Sequence, residues 1–119
     1  MTLSLTDIPT VHKEFLLWLG ERTHIPTRFL NCSEAAIPEL PPCHLCIATD
    51  IFEYLHTPVQ AFEAIDQTLL PGGLLVTDVH DHKPEYMHVS TDLNVIRARL
   101  ASRGHEELDR QRLYRKKPA

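Results

Sequence analysis

The chain has 119 residues, of which 43% are hydrophobic and 24% charged, so it can bury one modest hydrophobic core. Sixteen acidic against twelve basic residues give a net charge of −4, which argues against a nucleic-acid partner. No apolar run approaches the roughly 20 residues that span a bilayer, and no secretory signal is visible, so we expect no membrane partner. Three cysteines are an odd number and favour reduced thiols, so we expect a cytoplasmic protein.

The first third of the chain alternates strand and helix patterns. Residues 2–6 alternate leucine with serine or threonine, which predicts a strand that ends before Pro9. A helix capped by Thr10 should follow, because apolar residues recur there at i, i+4, i+7 and i+8 and form one core-facing side: Val11, Phe15, Trp18 and Leu19. Residues 27–31 predict a second strand. Residues 32–42 carry three prolines and no periodicity, which predicts a loop.

The middle of the chain has the clearest signals. Residues 45–49 form a continuous small or apolar run, which predicts a strand buried on both faces. Thr57 to Gln60 has the residues of a capping box, with proline at the first helical position. The helix that follows should bury one apolar side and end at Pro71-Gly72-Gly73; that side consists of Val59, Phe62, Ile65 and Leu69.

The last third predicts a strand, a helix and a terminal strand pair. Residues 74–77 form another buried strand, and Ser90 or Thr91 begins a helix that ends at Gly104. Leu93, Ile96 and Leu100 should face inward from that helix. A strand pair around Leu113 and Tyr114 completes the chain, and the basic cluster from Arg110 to Lys117 is interpreted as a charged edge strand. This order of elements is typical of parallel α/β proteins.

Two segments resemble a known family. Ile47 to Pro58 is an apolar strand, an acidic residue and a Glu-Tyr-Leu-His turn that ends in proline. It resembles the strand-four signature of class I S-adenosylmethionine-dependent methyltransferases. Leu69 to Leu75 resembles that family's Leu-x-Pro-Gly-Gly hairpin. Leu3 to Asp7 then looks like the second strand of the family, and Leu40-Pro41 like the pair before strand four.

The resemblance implies an α/β, Rossmann-like sheet in a three-layer αβα arrangement, with residues 1–119 as one partial methyltransferase domain. The family's strand order is 3-2-1-4-5-7-6. Only six residues precede Asp7, and the four glycines contain no G-x-G spacing, so the first strand, its glycine-rich loop and its helix are missing. The gap would lie in the middle of the sheet and expose unpaired backbone groups. The flanking strands could pair directly, another chain could supply the strand, or two copies could exchange elements. We therefore expect a homo-oligomer or a complementing N-terminal segment.

The resemblance also implies S-adenosylmethionine as cofactor. Its expected contacts are Asp7, Ile8, Ser33, Glu34, Thr49 and Asp50. Ligands of open α/β sheets lie beyond the carboxyl ends of the strands, and a carboxylate there can accept hydrogen bonds from both hydroxyls of a ribose. Asp7 would take that role, while Ser33 and Glu34 are the nearest polar candidates for adenine. The structural alternative is that Asp7 only begins a turn before Pro9.

His80 or His82 is the candidate catalytic base, because both follow strand five on the rim where a methyl acceptor would sit. A polar exposed loop is the simpler interpretation of each. A metal site formed by His80, Asp81, His82 and His88 is disfavoured, and none is predicted. Cys43 and Cys46 should face opposite sides of a strand, too far apart to share a metal or a disulfide. The acceptor is expected to be a small molecule, and the alternative function is a non-catalytic binding or assembly module.

Overall fold

The computed structural model describes residues 1–7, 11–33, 37–81, 89 and 92–119, which form two compact units, Met1–Pro41 and Pro42–Ala119. The elements in chain order are β1 Leu3–Asp7, α1 Val11–Thr23, β2 Thr27–Asn31, β3 Cys43–Ala48, a 3-10 turn Phe52–Tyr54, α2 Pro58–Thr68, β4 Leu69–Thr77, α3 Asn94–Ser102, β5 Glu106–Asp109 and β6 Leu113–Arg115. The predicted α/β alternation is confirmed. That residues 1–119 form one domain stays a prediction.

Strand order follows the family pattern in two pieces. β1 pairs with β2 in parallel, and the second sheet has the order β3-β4-β6-β5, with β3 and β4 parallel. In the numbering of the family pattern these pieces correspond to 2-3 and to 4-5-7-6. Direct pairing of β1 with β3, one of the three alternatives for the missing strand, is not found among the described residues, where the two strands belong to separate sheets.

Helix α1 packs on its strand through a different side from the predicted one. Phe15 and Trp18 are 55% and 52% exposed and stack on each other with ring centroids 5.9 Å apart. The half-buried side consists of Lys13, Leu16, Leu17 and Gly20. The predicted core side of α1 was wrong; it consisted of Val11, Phe15, Trp18 and Leu19. Helix α1 has two apolar sides, and β2 can approach closely only on the side that contains Gly20. A Cβ on Gly20 would collide with Oγ1 of Thr27.

We expect Gly20→Ala to destabilise the first unit by about 1–3 kcal/mol, the usual effect of overpacking. Thr27 cannot easily move aside, since its hydroxyl donates to the carbonyl of Ile25 at 2.9 Å. Alanine is the better helix former, so intrinsic propensity alone would give a gain. Faster hydrogen exchange of the β1 and β2 amides would confirm the prediction. Unchanged or slower exchange, as expected for the exposed control Glu21→Ala, would contradict it.

The core of the second unit lies on one side of its sheet. Fully buried side chains come from the 3-10 turn, both helices and β4; they include Phe52, Phe62, Ile65, Leu69, Leu93, Ile96 and Leu100. The opposite side is open: Leu45 and Ile47 on β3 are 53% and 65% exposed. The predicted inward residues of α2 and α3 are largely confirmed, with Val59 only half-buried. Burial of β3 on both faces was wrong, because no described element of this unit covers the Leu45 side.

Three local predictions need correction. Thr57 precedes α2 and Pro58 is its first residue, but the Thr57 side chain makes no capping hydrogen bond. Helix α2 already ends at Thr68, so Pro71-Gly72-Gly73 does not end it, and Leu69 begins β4 instead of lying on the helix. Residues 71–73 lie inside β4, where the register to β3 shifts as in a bulge. The basic cluster contributes β6, which lies between β4 and β5 and is not an edge strand. The edge is the acidic strand β5.

The start of α3 is capped from outside the helix. The N–H of Leu93 donates to Oδ1 of Asp81 at 3.2 Å, and the N–H of Asn94 donates to Oδ1 of Asp92 at 2.9 Å. Ser90 and Thr91, the predicted starting residues, lie outside the described residues. Among the helices that the structure describes, none has both the length and the apolar character of a bilayer span.

Candidate functional site

Three carboxylates converge beyond the ends of the parallel strands β3 and β4. Asp50 follows β3, Asp78 follows β4, and Glu53 lies in the 3-10 turn. One oxygen from each lies within 4.8 Å of the others. Asp50 adopts a left-handed conformation with φ 52°, which aspartate tolerates better than most residues. Its N–H donates to both carboxylate oxygens of Asp78 at 3.1 Å, so the backbone orients that side chain. We refer to Asp50, Glu53 and Asp78 as the acidic triad.

The acidic triad concentrates negative charge where water is partly excluded. Glu53 is 1% exposed, whereas Asp50 is open to solvent. Burial is the main cause that raises the pKa of Asp78, and the charges of Glu53 and Asp50 raise it further, against the lowering effect of the Asp50 N–H. Like charges held this closely favour a bound proton or a cationic group. The geometry thus suits a ligand that brings positive charge to the ends of β3 and β4.

Asp81 has a structural role next to this edge. Its carboxylate accepts from Nη1 of Arg97 at 2.9 Å and caps α3 through Leu93. The same Arg97 nitrogen donates to the carbonyl of Val79 at 2.6 Å. The Arg97 hydrogen bond is the largest cause that lowers the pKa of Asp81 below its ordinary value. The carboxylate that the sequence placed in a candidate metal loop therefore links the residues that follow β4 to the start of α3.

We expect Asp81→Asn to lower the melting temperature at pH 7. Because the folded state depresses the pKa of Asp81, its stabilising effect is present above the unfolded value of 3.8 and is lost as pH falls through the folded pKa. The difference between variant and wild type should therefore shrink below pH 3.8. Thermal unfolding followed by circular dichroism between pH 3 and 7 measures it; a pH-independent difference would count against this assignment.

The second unit contains three of the predicted site residues that can be described. Thr49 and Asp50 are exposed directly after β3, which puts them at the acidic triad. His80 is exposed in the bend two residues after Asp78. His82 lies outside the described residues, so its role as a base stays a prediction. Glu53 and Asp78 were not predicted as site residues, although Glu53 lies in the quoted turn and Asp78 follows a predicted strand.

The first unit contains Asp7 and Ser33, both exposed. Asp7 ends β1, and its carbonyl accepts from the N–H of Cys32 at 3.0 Å. Asp7 is thus placed at the carboxyl end of a parallel strand, as expected. Ile8 and Glu34 lie outside the described residues. Cofactor binding by Asp7 and Ser33 stays a prediction.

The cysteines are free thiols, as predicted. Cys32, Cys43 and Cys46 form no disulfide. Burial raises the pKa of Cys46 to about 11, with a smaller contribution from Cys43, so its thiol stays protonated at neutral pH. Burial also raises the pKa of Cys43. Neither thiol is suited to nucleophilic or metal chemistry.

Solved structures similar to this chain are mostly described as methyltransferases. A methyltransferase from Pyrococcus furiosus matches 98% of this chain at 17% identity and TM-score 0.61, over 63% of its own length. The [4+2]-cyclase SpnF matches 92% at 15% identity and TM-score 0.69, over 45% of its length. The CMeT domain of the citrinin polyketide synthase matches 98% at 13% identity and TM-score 0.60, over 40% of its length.

These likenesses define the fold. The chain has an incomplete class I S-adenosylmethionine methyltransferase-like fold. It spans 31% to 63% of the length of the similar structures. No protein-family model matches the sequence, and no curated protein matches it. Identities of 13% to 17% carry the fold and not the activity.

Proposed function

We propose that residues 1–119 are part of an S-adenosylmethionine-dependent methyltransferase that acts on a small molecule. The acidic triad at the carboxyl ends of β3 and β4 carries this proposal. S-adenosylmethionine brings a sulfonium and an ammonium against a single carboxylate, so it is a net cation. A crevice lined by carboxylates attracts such a ligand, and partial burial strengthens the attraction. The position also agrees with the rule that open α/β sheets bind ligands beyond their strand ends.

Each proposed contact has a distinct task. Asp50 and Asp78 favour the cationic end of the cofactor, with Thr49 beside them. Asp7 would accept hydrogen bonds from the ribose hydroxyls, and Ser33 with Glu34 would approach the adenine. The cofactor would supply an activated methyl carbon that the acceptor attacks in line, with the neutral thioether as leaving group.

The residues of this chain would orient the acceptor and remove its proton. His80 or His82 would take that proton as the acceptor's lone pair bonds to the methyl carbon. Holding the acceptor at attack distance from the methyl carbon would supply much of the rate enhancement.

Calorimetric titration with S-adenosylmethionine tests the proposal. The purified chain should bind weakly alone and more tightly when mixed with a candidate N-terminal segment that carries a strand, a glycine-rich loop and a helix. Parallel titration with S-adenosylhomocysteine, which lacks the sulfonium charge, reports the contribution of the acidic triad. Absence of binding both to the chain alone and to its mixture with the N-terminal segment would exclude the methyltransferase proposal.

A non-catalytic module is the second candidate. The exposed apolar side of β3 favours a binding or assembly role. If the titrations give no cofactor binding, this candidate accounts for the fold.

A further inference from the structure

The turn that joins β5 to β6 lies at the same end of the second sheet as the acidic triad. β6 runs antiparallel to β4, so this turn meets the carboxyl end of β4. The N–H of Thr77 donates to the carbonyl of Arg112 at 2.8 Å. The N–H of Val79 donates to the carbonyl of Gln111 at 3.1 Å. These two donors flank Asp78 in the sequence, so the backbone of the turn lies beside one member of the triad.

The turn is held in one backbone conformation. The N–H of Arg112 donates to the carbonyl of Asp109 at 3.0 Å, and the N–H of Gln111 donates to Oε1 of Glu107 at 3.1 Å. Gln111 has φ 57°, a left-handed conformation that is uncommon for residues other than glycine. Such conformations persist where the surrounding structure holds them, and they are concentrated at functional sites. The turn therefore presents its side chains from an ordered backbone.

The same turn carries the arginines of this unit that have no carboxylate partner. The second unit contains six arginines. Four of them form ion pairs with carboxylates: Arg97, Arg99, Arg103 and Arg115. Arg110 and Arg112 are exposed, and neither forms an ion pair within the described part of the chain. The two unpaired guanidinium groups thus lie within three residues of each other, next to the end of β4.

The acidic triad does not satisfy these two guanidinium groups. The charges that act on the carboxyl group of Asp78 are those of Glu53 and Asp50, and no arginine lowers its pKa. A guanidinium group offers a planar fork of N–H donors that matches the oxygens of a carboxylate or a phosphate. One end of the sheet therefore combines a negative cluster suited to a cation with a positive turn suited to an anion.

We propose that Arg110 and Arg112 bind an anionic group, a carboxylate or a phosphate, of a small molecule that occupies this end of the sheet. The assignment of that molecule as the methyl acceptor rests on the proposed function, whereas the anion site itself does not. The net positive cofactor would lie at the acidic triad, and the acceptor's anion would lie at the turn. The two arginines would then select the acceptor by charge and take no part in the methyl transfer.

Nuclear magnetic resonance titration of the full chain tests the inference with phenyl phosphate and benzoate as probes and benzyl alcohol as the neutral control. Sodium chloride holds the ionic strength constant, because salt screens exposed charges. The backbone amides of residues 109–112 should shift saturably with both anions and not with benzyl alcohol. Arg110→Gln/Arg112→Gln should raise both dissociation constants at least about tenfold. Arg115→Gln is the matched control and should bind both anions like wild type, because Arg115 is already paired with Glu106 at 3.1 Å.

Four results would overturn the anion site. They are no saturable shift at the turn, equal shifts with benzyl alcohol, unchanged affinity in the double variant, and an equal loss in Arg115→Gln. If the double variant fails to fold by circular dichroism, Arg110→Gln replaces it; the residue is exposed, so this single change should leave the fold intact and still weaken anion binding.

Titration with S-adenosylmethionine separates this inference from the proposed function. The double variant should bind the cofactor like wild type, because the arginines do not act on the triad. Anion binding without cofactor binding would uphold the anion site and contradict its assignment to a methyl acceptor. Cofactor binding without anion binding would overturn the anion site and leave the proposed function in place.

Discussion

Replacing Asp66 by alanine should lower the free energy of unfolding by about 2–3 kcal/mol, because its partly buried partners would lose a charged hydrogen-bond acceptor. Asp66 connects three parts of the second unit. Its carboxylate accepts from Arg103 at 2.7 Å and contacts Nε2 of His105 at 2.8 Å, and its carbonyl accepts from Nζ of Lys116. Removing the carboxylate would leave Arg103 with fewer acceptors and a nearly buried imidazole without its partner.

The hydrogen bonds around His105 define its neutral form. Nδ1 accepts from the backbone N–H of Lys117 at 3.2 Å, so it carries no proton. Nε2 must then be the protonated nitrogen and donate to Asp66. The ring thus bridges the end of α2 and the residue that follows β6 by two residues. Without Asp66, that proton would have no acceptor in a site where the His105 side chain is 6% exposed.

Urea denaturation of Asp66→Ala, His105→Ala and the double variant measures the effect. The sum of the two single losses in free energy of unfolding should exceed the loss in the double variant by a coupling energy of about 1–3 kcal/mol, because the residues are in contact. Gln67→Ala, at the exposed neighbouring position on α2, is the control and should change stability by less than about 0.5 kcal/mol. Additive losses for Asp66 and His105 would show that their contact does not stabilise the unit.

The sequence was sufficient where local chemistry determines structure. Pro58 begins α2 as predicted, and β2 has its predicted bounds, Thr27–Asn31. The inward residues of α3 follow from helical spacing alone, because only one side of that helix is apolar. Signals of this kind depend on neighbours within one or two turns.

The sequence was insufficient where tertiary packing determines which of two possible sides of an element is buried. Helix α1 has two apolar sides, and contact with β2 at Gly20 selected the one that was not predicted. The ion pair of Arg103 with Glu63 joins residues 40 positions apart, so no window of the sequence reveals it. The exposure of Leu45 and Ile47 on β3 depends on which elements cover the sheet, and the sequence of the strand alone does not determine that.

The candidate site was predictable in part. Asp50 was identified because the strand-four signature and the strand-end rule point to the same residue. Parallel pairing of β3 with β4 places Asp78 beside Asp50, and the turn at Asp50, with its positive φ, leads to Glu53; Glu53 and Asp78 were not predicted as site residues because both steps require the folded structure. The sequence contains each residue, but only the fold places the three carboxylates within reach of one ligand.

Replacing Asp78 by asparagine should stabilise the chain at pH 7 while weakening cofactor binding. In the folded state, burial and the nearby carboxylates raise the pKa of Asp78 above its ordinary value of 3.8. A carboxyl group with a raised folded pKa loses stability as pH rises from the unfolded pKa through the folded one. As pH rises from 3.8 through the folded pKa, wild type should therefore lose stability and Asp78→Asn should not. The difference between their free energies of unfolding should be near zero below pH 3.8 and appear above it. Asparagine keeps one oxygen for the N–H of Asp50.

Asp78→Asn should bind S-adenosylmethionine more weakly than wild type, if the acidic triad binds the sulfonium end of the cofactor. The dissociation constant for S-adenosylmethionine should rise about tenfold, equivalent to about 1.4 kcal/mol, while that for S-adenosylhomocysteine should change less. Titration is made in the presence of the N-terminal segment where binding requires it. Asp109→Asn removes a carboxylate from the exposed edge strand β5 and should alter neither constant. If the dissociation constants for both ligands rise equally, Asp78 supports the shape of the site and does not distinguish ligands by charge. If stability increases and neither constant changes, the acidic triad does not bind the cofactor.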